Sequence, residues 1–134
     1  MRTCGLALLA LAVVALFGAA CGSTKRSGPA RLHVRQGLVP GSGLYIEGSL
    51  SYVRVERDGQ LVRQVRLVKP SATISLVPGS YRLVSFQRPC EPSCSGSLDP
   101  PTDRCSEAFD AASGEFVEAT VRLSPGKGCT IAFE

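Results

Sequence analysis

The chain has no tryptophan, one methionine at position 1 and one histidine, His33. Each shortage argues against a class of chemistry. A copper or electron-transfer site built on the Cys90-x-x-x-Cys94 spacing needs added His or Met ligands, and residues after Met1 supply only His33. Hydrolysis by an activated nucleophile needs a base beside it. His33 is the only imidazole, and no Gly-x-Ser-x-Gly elbow occurs. Without tryptophan there is no evident aromatic platform for a sugar. The arginines at 54, 57, 63, 66, 82 and 88 stand singly, with no block of like charge, which argues against nucleic acid as a partner and reads as solvated strand faces. A Cys-x-x-Cys opening a helix and a phosphate-cradling glycine pattern are also missing. The expectation is a non-catalytic protein with no cofactor and no metal.

What is present begins at the N-terminus. One charge at Arg2 precedes an uncharged run from Cys4 to Thr24, in which Leu6 to Phe17 is almost pure Ala, Leu and Val. Small residues follow, Gly18-Ala19-Ala20, and then Cys21. Charge, apolar stretch and small residues are the parts of a secretory signal, the last because peptidase cleavage needs an unobstructed backbone. Gly18-Ala19-Ala20-Cys21 resembles the lipobox of bacterial lipoproteins, with Gly18 where Leu is usual. The resemblance implies diacylglycerol on the Cys21 thiol and cleavage just before it. Residues 1–20 then read as a signal helix that is removed, 21–30 as a polar tether and 31–134 as the domain. The partner is the membrane, through the lipid, and the location is its extracytoplasmic side. The rivals are ordinary cleavage to a soluble protein and an uncleaved span over Thr3 to Thr24, which is long enough to cross and for which Lys25, Arg26 and Arg31 outweigh Arg2. The remaining cysteines argue against the cytoplasmic domain such a span would create.

Those cysteines are Cys90, Cys94, Cys105 and Cys129, and four in a small exported domain read as two disulfides with three possible connectivities. Cys94 and Cys105 flank a proline-rich stretch, so the preferred scheme pairs them and leaves Cys90 for Cys129. A tight Cys90–Cys94 ring around Pro92 is the alternative.

Turn signals cut the rest of the chain at Pro40-Gly41, Asp58-Gly59, Pro78-Gly79, Ser113-Gly114 and Pro125-Gly126. Between them apolar and polar residues alternate: Val53 and Val55 against Arg54 and Glu56, Ile74 and Leu76 against Thr73 and Ser75, Val117 to Leu123 against Glu118, Thr120 and Arg122. Strands are expected at 31–35, 52–57, 61–68, 72–76, 105–111, 117–123 and 129–133, with Asp58-Gly59 as a type I′ hairpin turn. Seven or eight short strands without crossover helices predict an all-β, antiparallel β-sandwich of prealbumin or immunoglobulin type. Leu76-Val77-Pro78-Gly79-Ser80-Tyr81-Arg82-Leu83 resembles the Leu-x-Pro-Gly-x-Tyr-x-Leu turn of carboxypeptidase-regulatory and transthyretin-like sandwiches. Leu123-Ser124-Pro125-Gly126 is a weaker echo. The resemblance implies the fold and a non-catalytic accessory or binding role.

Residues 89–105 hold Pro89, Pro92, Pro100 and Pro101 with three cysteines, which suits a stiff loop rather than a helix or central strand. The stretch from Arg88 to Cys105 is similar to one in small exported bacterial lipoproteins of unknown function. Leu98, Asp99, Asp103 and Arg104 make this the candidate binding loop, for an envelope protein or cell-wall partner. Two other chemistries use the same acids: calcium held by Glu91, Asp99 and Asp103, and a secreted hydrolase with Asp99 and Asp103 as paired carboxylates.

Overall fold

The computed structural model describes residues 27–40, 48–90, 93–124 and 126–134. The expected signal, Cys21 and the tether as far as Arg26 lie outside them, as does Glu91. The described chain is all β: β1 (Ala30–Leu38), β2 (Ser49–Arg57), β3 (Gln60–Leu67), β4 (Ser71–Leu76), β5 (Gly79–Pro89), β6 (Thr102–Ala111), β7 (Phe116–Ser124) and β8 (Gly128–Phe133). They form two four-stranded sheets, ordered β4-β1-β7-β8 and β3-β2-β5-β6.

Period-2 alternation explains how the sheets meet. Leu32 and Val34 of β1, Ile74 and Leu76 of β4, and Val117, Ala119 and Val121 of β7 point one way from the first sheet. They share one buried cluster with Val53 and Val55 of β2, Tyr81 and Leu83 of β5 and Phe109 of β6. The arrangement is sandwich-like, with the core between two inner faces. Tyr81, Phe109 and Phe133 stack in a row through it, with ring centroids 5.6 and 5.0 Å apart. Such pairs contribute about 1 kcal/mol each beyond the area they bury.

One pairing departs from the expected antiparallel order. β1 runs parallel to β7, from Arg31 opposite Phe116 to Leu38 opposite Leu123. Alternation within a strand says which face is buried but nothing of its neighbour's direction, so the sequence reading could not see it.

The turns follow the sequence more closely. Asp58 and Gly59 both have positive φ, 52° and 75°, as a type I′ turn requires. Pro78-Gly79 carries the chain from β4 in one sheet to β5 in the other. There the Tyr81 hydroxyl donates to the Val77 carbonyl at 2.6 Å, tying the corner to the core. The Arg57 guanidinium covers the same corner, 5.6 Å over the Tyr81 ring and 3.0 Å from where a Cβ on Gly79 would sit.

Strand directions sort the connections into two ends. β1 starts beside the ends of β4 and β6 and the start of β7, and the chain before it is held there. Gly114 N–H donates to the Gly28 carbonyl, Arg31 N–H to the Glu115 carbonyl, and Gly28 N–H to the Ser113 hydroxyl. The Asp58-Gly59 and Pro78-Gly79 turns share this end. At the opposite end lie residues 38–40, the β3–β4 link, Cys90 with residues 93–101, and residues 126 and 127 before β8.

Candidate functional site

The stretch after β5 is tied to the start of β2 and then folded back on itself. Cys90 N–H donates to the Gly48 carbonyl at 2.7 Å, then Cys90 and Cys94 are bridged, with Cys94 in the left-handed region at φ 47°. The chain doubles back so that Asp99 N–H meets the Pro89 carbonyl at 2.9 Å. Arg88 clamps the return: Nε donates to the Asp99 carbonyl at 2.9 Å and a terminal nitrogen to the Leu98 carbonyl at 2.8 Å. Charge-assisted bonds of this kind contribute about 1.5–3 kcal/mol each where they are shielded. Arg88 was no part of the expected site, although a guanidinium beside a proline-rich loop is a natural partner for carbonyls that no strand satisfies.

The second bridge joins Cys105 to Cys129 with Cα atoms 5.4 Å apart. The preferred scheme, Cys94 with Cys105 and Cys90 with Cys129, is therefore corrected to Cys90–Cys94 and Cys105–Cys129. The reason is strand order. β6 and β8 are the edge strands on the same side of the two sheets and lie against each other, so their cysteines face across the gap. Cys90, at the end of β5, is one strand further in, and Cys94 is its near neighbour across the turn.

β6 also begins earlier than expected, at Thr102, so Asp103 and Arg104 belong to a strand and not to the loop. Ser85 opposes Cys105 and Gln87 opposes Thr102, which leaves an extra residue in β6 opposite Phe86. That bulge is made by Asp103 at φ 46°, a conformation that Asp tolerates better than most residues. Its carboxylate accepts from Gly128 N–H at 3.0 Å, and its carbonyl oxygen lies 3.0 Å from the Cys129 sulfur. Asp103 thus joins β6 to the start of β8. Asp99 and Arg104 are exposed and Leu98 is half-buried. Among the described residues no group of three or more His, Cys, Asp or Glu could hold a metal ion. His33 sits away from the acids, against Thr73 at 3.0 Å and Phe116 at 6.0 Å on the outer face of the other sheet.

Beside this loop the ends of the sheets leave a cleft of about 250 Å³ lined by Gln36, Gly37, Leu38, Ser49, Ser51, Gln87 and Leu123. Gln87 is only 3% exposed, and its carbonyl oxygen accepts from the hydroxyls of Ser51 at 2.9 Å and Ser49 at 3.3 Å. The amide nitrogen of Gln36 is buried there without a hydrogen-bond partner among the described residues. All four polar side chains are neutral, so among the described residues the cleft offers hydrogen bonds but no acid, base or nucleophile activated by a neighbour. Sequence reasoning missed it because Gln36, Ser49, Ser51 and Gln87 come from three strands and look like ordinary polar positions.

No known family profile matches the chain, and no curated protein resembles it significantly. One solved structure does overlap it: a proposed cell adhesion protein from Bacteroides fragilis, 12% identical, with a TM-score of 0.34 over 81% of this chain and 45% of that one. The chain spans less than half of that protein, and an overlap this loose bears on neither fold nor role.

Proposed function

We propose that the chain is a lipid-anchored extracytoplasmic protein whose sandwich is a non-catalytic binding or structural module of the cell envelope, of the transthyretin-like kind. The observation that carries this reading is the separation of the two ends. Gly28 to Arg31 are held at one end, against Ser113 to Glu115, while both disulfides, the Arg88 clamp and the polar cleft gather at the other. A domain tethered through Cys21 would present its cross-linked end away from the bilayer, about one strand length, roughly 30 Å, from the anchor. The sheet-crossing Pro78-Gly79 corner with Tyr81 beneath it supports the transthyretin-like assignment. The carboxylate-hydrolase alternative gains nothing from Asp103, whose carboxylate is spent on a backbone N–H.

Two measurements test the proposal. Intact mass of the membrane-extracted protein should exceed that of residues 21–134 by its acyl groups, and Cys21→Ala should leave the unprocessed precursor. A fluorophore on Val77→Cys, at the tether end, should transfer energy to a bilayer acceptor far better than one on Ser95→Cys. A bare polypeptide mass defeats the anchor, and equal transfer defeats the orientation.

A further inference from the structure

The arginines that stand singly in the sequence converge in the fold. On β5, Arg82, Val84, Phe86 and Arg88 alternate with the inward Tyr81 and Leu83 and so face outward from the second sheet. Arg54 of β2 opposes Val84, and its guanidinium lies 5.5 Å over the Phe86 ring. Arg66 of β3 opposes Tyr52, which stacks on Phe86 at 5.5 Å. Arg104 stands in the bulge opposite Phe86. Five arginines from four strands therefore share one face, with Glu56 and Asp110 as its carboxylates and Asp58 beside Glu56 and Arg82 at its edge. The balance, five against three, leaves the face basic.

Glu56 is paired with Arg54 at 3.5 Å, and Asp110 accepts from the Ser80 hydroxyl. Arg54 is committed further to Gln64, and Arg88 to the loop carbonyls. Their stems help to account for a buried outer strip: Val84 is 1% and Phe86 5% exposed on what would otherwise be a solvent face. Among the described residues the Arg66 and Arg104 side chains have no ion pair or hydrogen bond, and that of Arg82 only a 3.3 Å bond to the Ser106 hydroxyl. Three guanidinium groups thus remain for a ligand, on a face about 20 Å along β5 and about 15 Å across the strands. The charges are arginine rather than lysine, and a guanidinium fork matches carboxylate and phosphate bidentately.

We propose that the outer face of the β3-β2-β5-β6 sheet binds a linear anionic polymer with a carboxylate or phosphodiester in each repeat. Arg66 and Arg104 lie in one row across the sheet with Tyr52 and Phe86 between them, about 14 Å apart. Arg82 lies about 13 Å along β5 from that row, and charges repeated along one extended chain can span both spacings. Naming the polymer as an envelope component rests on the function proposed above, whereas the chemistry of the face does not.

The test uses the full chain in phosphatidylcholine nanodiscs, titrated with polygalacturonate, poly(glycerol phosphate), neutral dextran and duplex DNA, and mixed with phosphatidylglycerol vesicles. At least one of the two anionic polymers should bind while dextran does not, and the tighter one identifies the anionic group. Arg66→Gln, Arg82→Gln and Arg104→Gln together should weaken binding about tenfold or more and flatten its salt dependence. Removing the same charge elsewhere, through Arg31→Gln, Arg63→Gln and Arg122→Gln, should change it less than about twofold. Thermal melts of both triples confirm that each folds. Equal loss in the two triples, equal affinity for DNA, or binding to the vesicles alone would overturn the proposal. A failure of Cys21 acylation would leave it standing.

Discussion

Cys105–Cys129 and Cys90–Cys94 are formed by the same chemistry at the same end of the molecule, yet they hold different things. The first spans 24 positions and joins the edges of two sheets, beside the core row of Phe109 and Phe133. The second spans four and closes a ring within one turn, beyond the last core residue of β5. Chain entropy alone assigns the first about 3.5 kcal/mol and the second about 2 kcal/mol. That difference understates the contrast. Opening the larger loop releases a strand edge that the folded state needs, whereas opening the ring frees residues in the native state as well as in the unfolded one. What a cross-link contributes depends on how firmly the fold already holds its two ends.

The largest effect should therefore come from replacing Cys105 and Cys129 together with serine. Chemical denaturation should show a loss of about 3–4 kcal/mol. A loss below about 1 kcal/mol would mean that β6 and β8 stay joined without the bridge, and the comparison would collapse. Asp103→Ala comes next, at about 2 kcal/mol, because it strands the Gly128 N–H and puts a residue less tolerant of positive φ into the bulge. Asp103→Asn should recover most of that loss, since an amide oxygen can accept the same bond and Asn tolerates the same φ; failure to recover would point to the charge. Tyr81→Phe keeps the stacked ring and deletes only the bond to Val77, so about 1 kcal/mol is expected from the melt. Cys90 and Cys94 replaced by serine should register least on global unfolding, under about 1 kcal/mol. The same variant should be cut by proteases between 93 and 100 while the rest of the domain stays intact. A global loss as large as that of the Cys105–Cys129 pair would show the ring to be part of the cooperative unit.

Much of this was legible beforehand, and unevenly so. Strands at 52–57, 61–68, 72–76 and 117–123 follow from alternation, because a sheet with one buried face imposes period 2 on any sequence that forms it. Asp58-Gly59 could be read because few other residues accept two successive positive φ angles. The site was read less well. Leu98 and Asp99 do lie in a loop, held by Arg88, but Asp103 and Arg104 fall in β6. Proline content marked Pro100 and Pro101 as loop and suggested nothing about a strand beginning immediately after them.

Local chemistry thus decided by itself the alternating strands, though neither β5 nor the start of β6, and with them which faces would be buried and that Asp58-Gly59 would turn, since these depend on neighbours one or two positions away. It also set out the expectation of an exported, disulfide-bearing chain. The tertiary structure alone decided the parallel contact of β1 with β7, the partner of each cysteine, the polar cleft and the gathering of five arginines on one face. Each of these depends on which strands lie side by side. Strand order is settled by the joint burial of both sheets' inner faces, a property of the whole chain that no window of sequence contains.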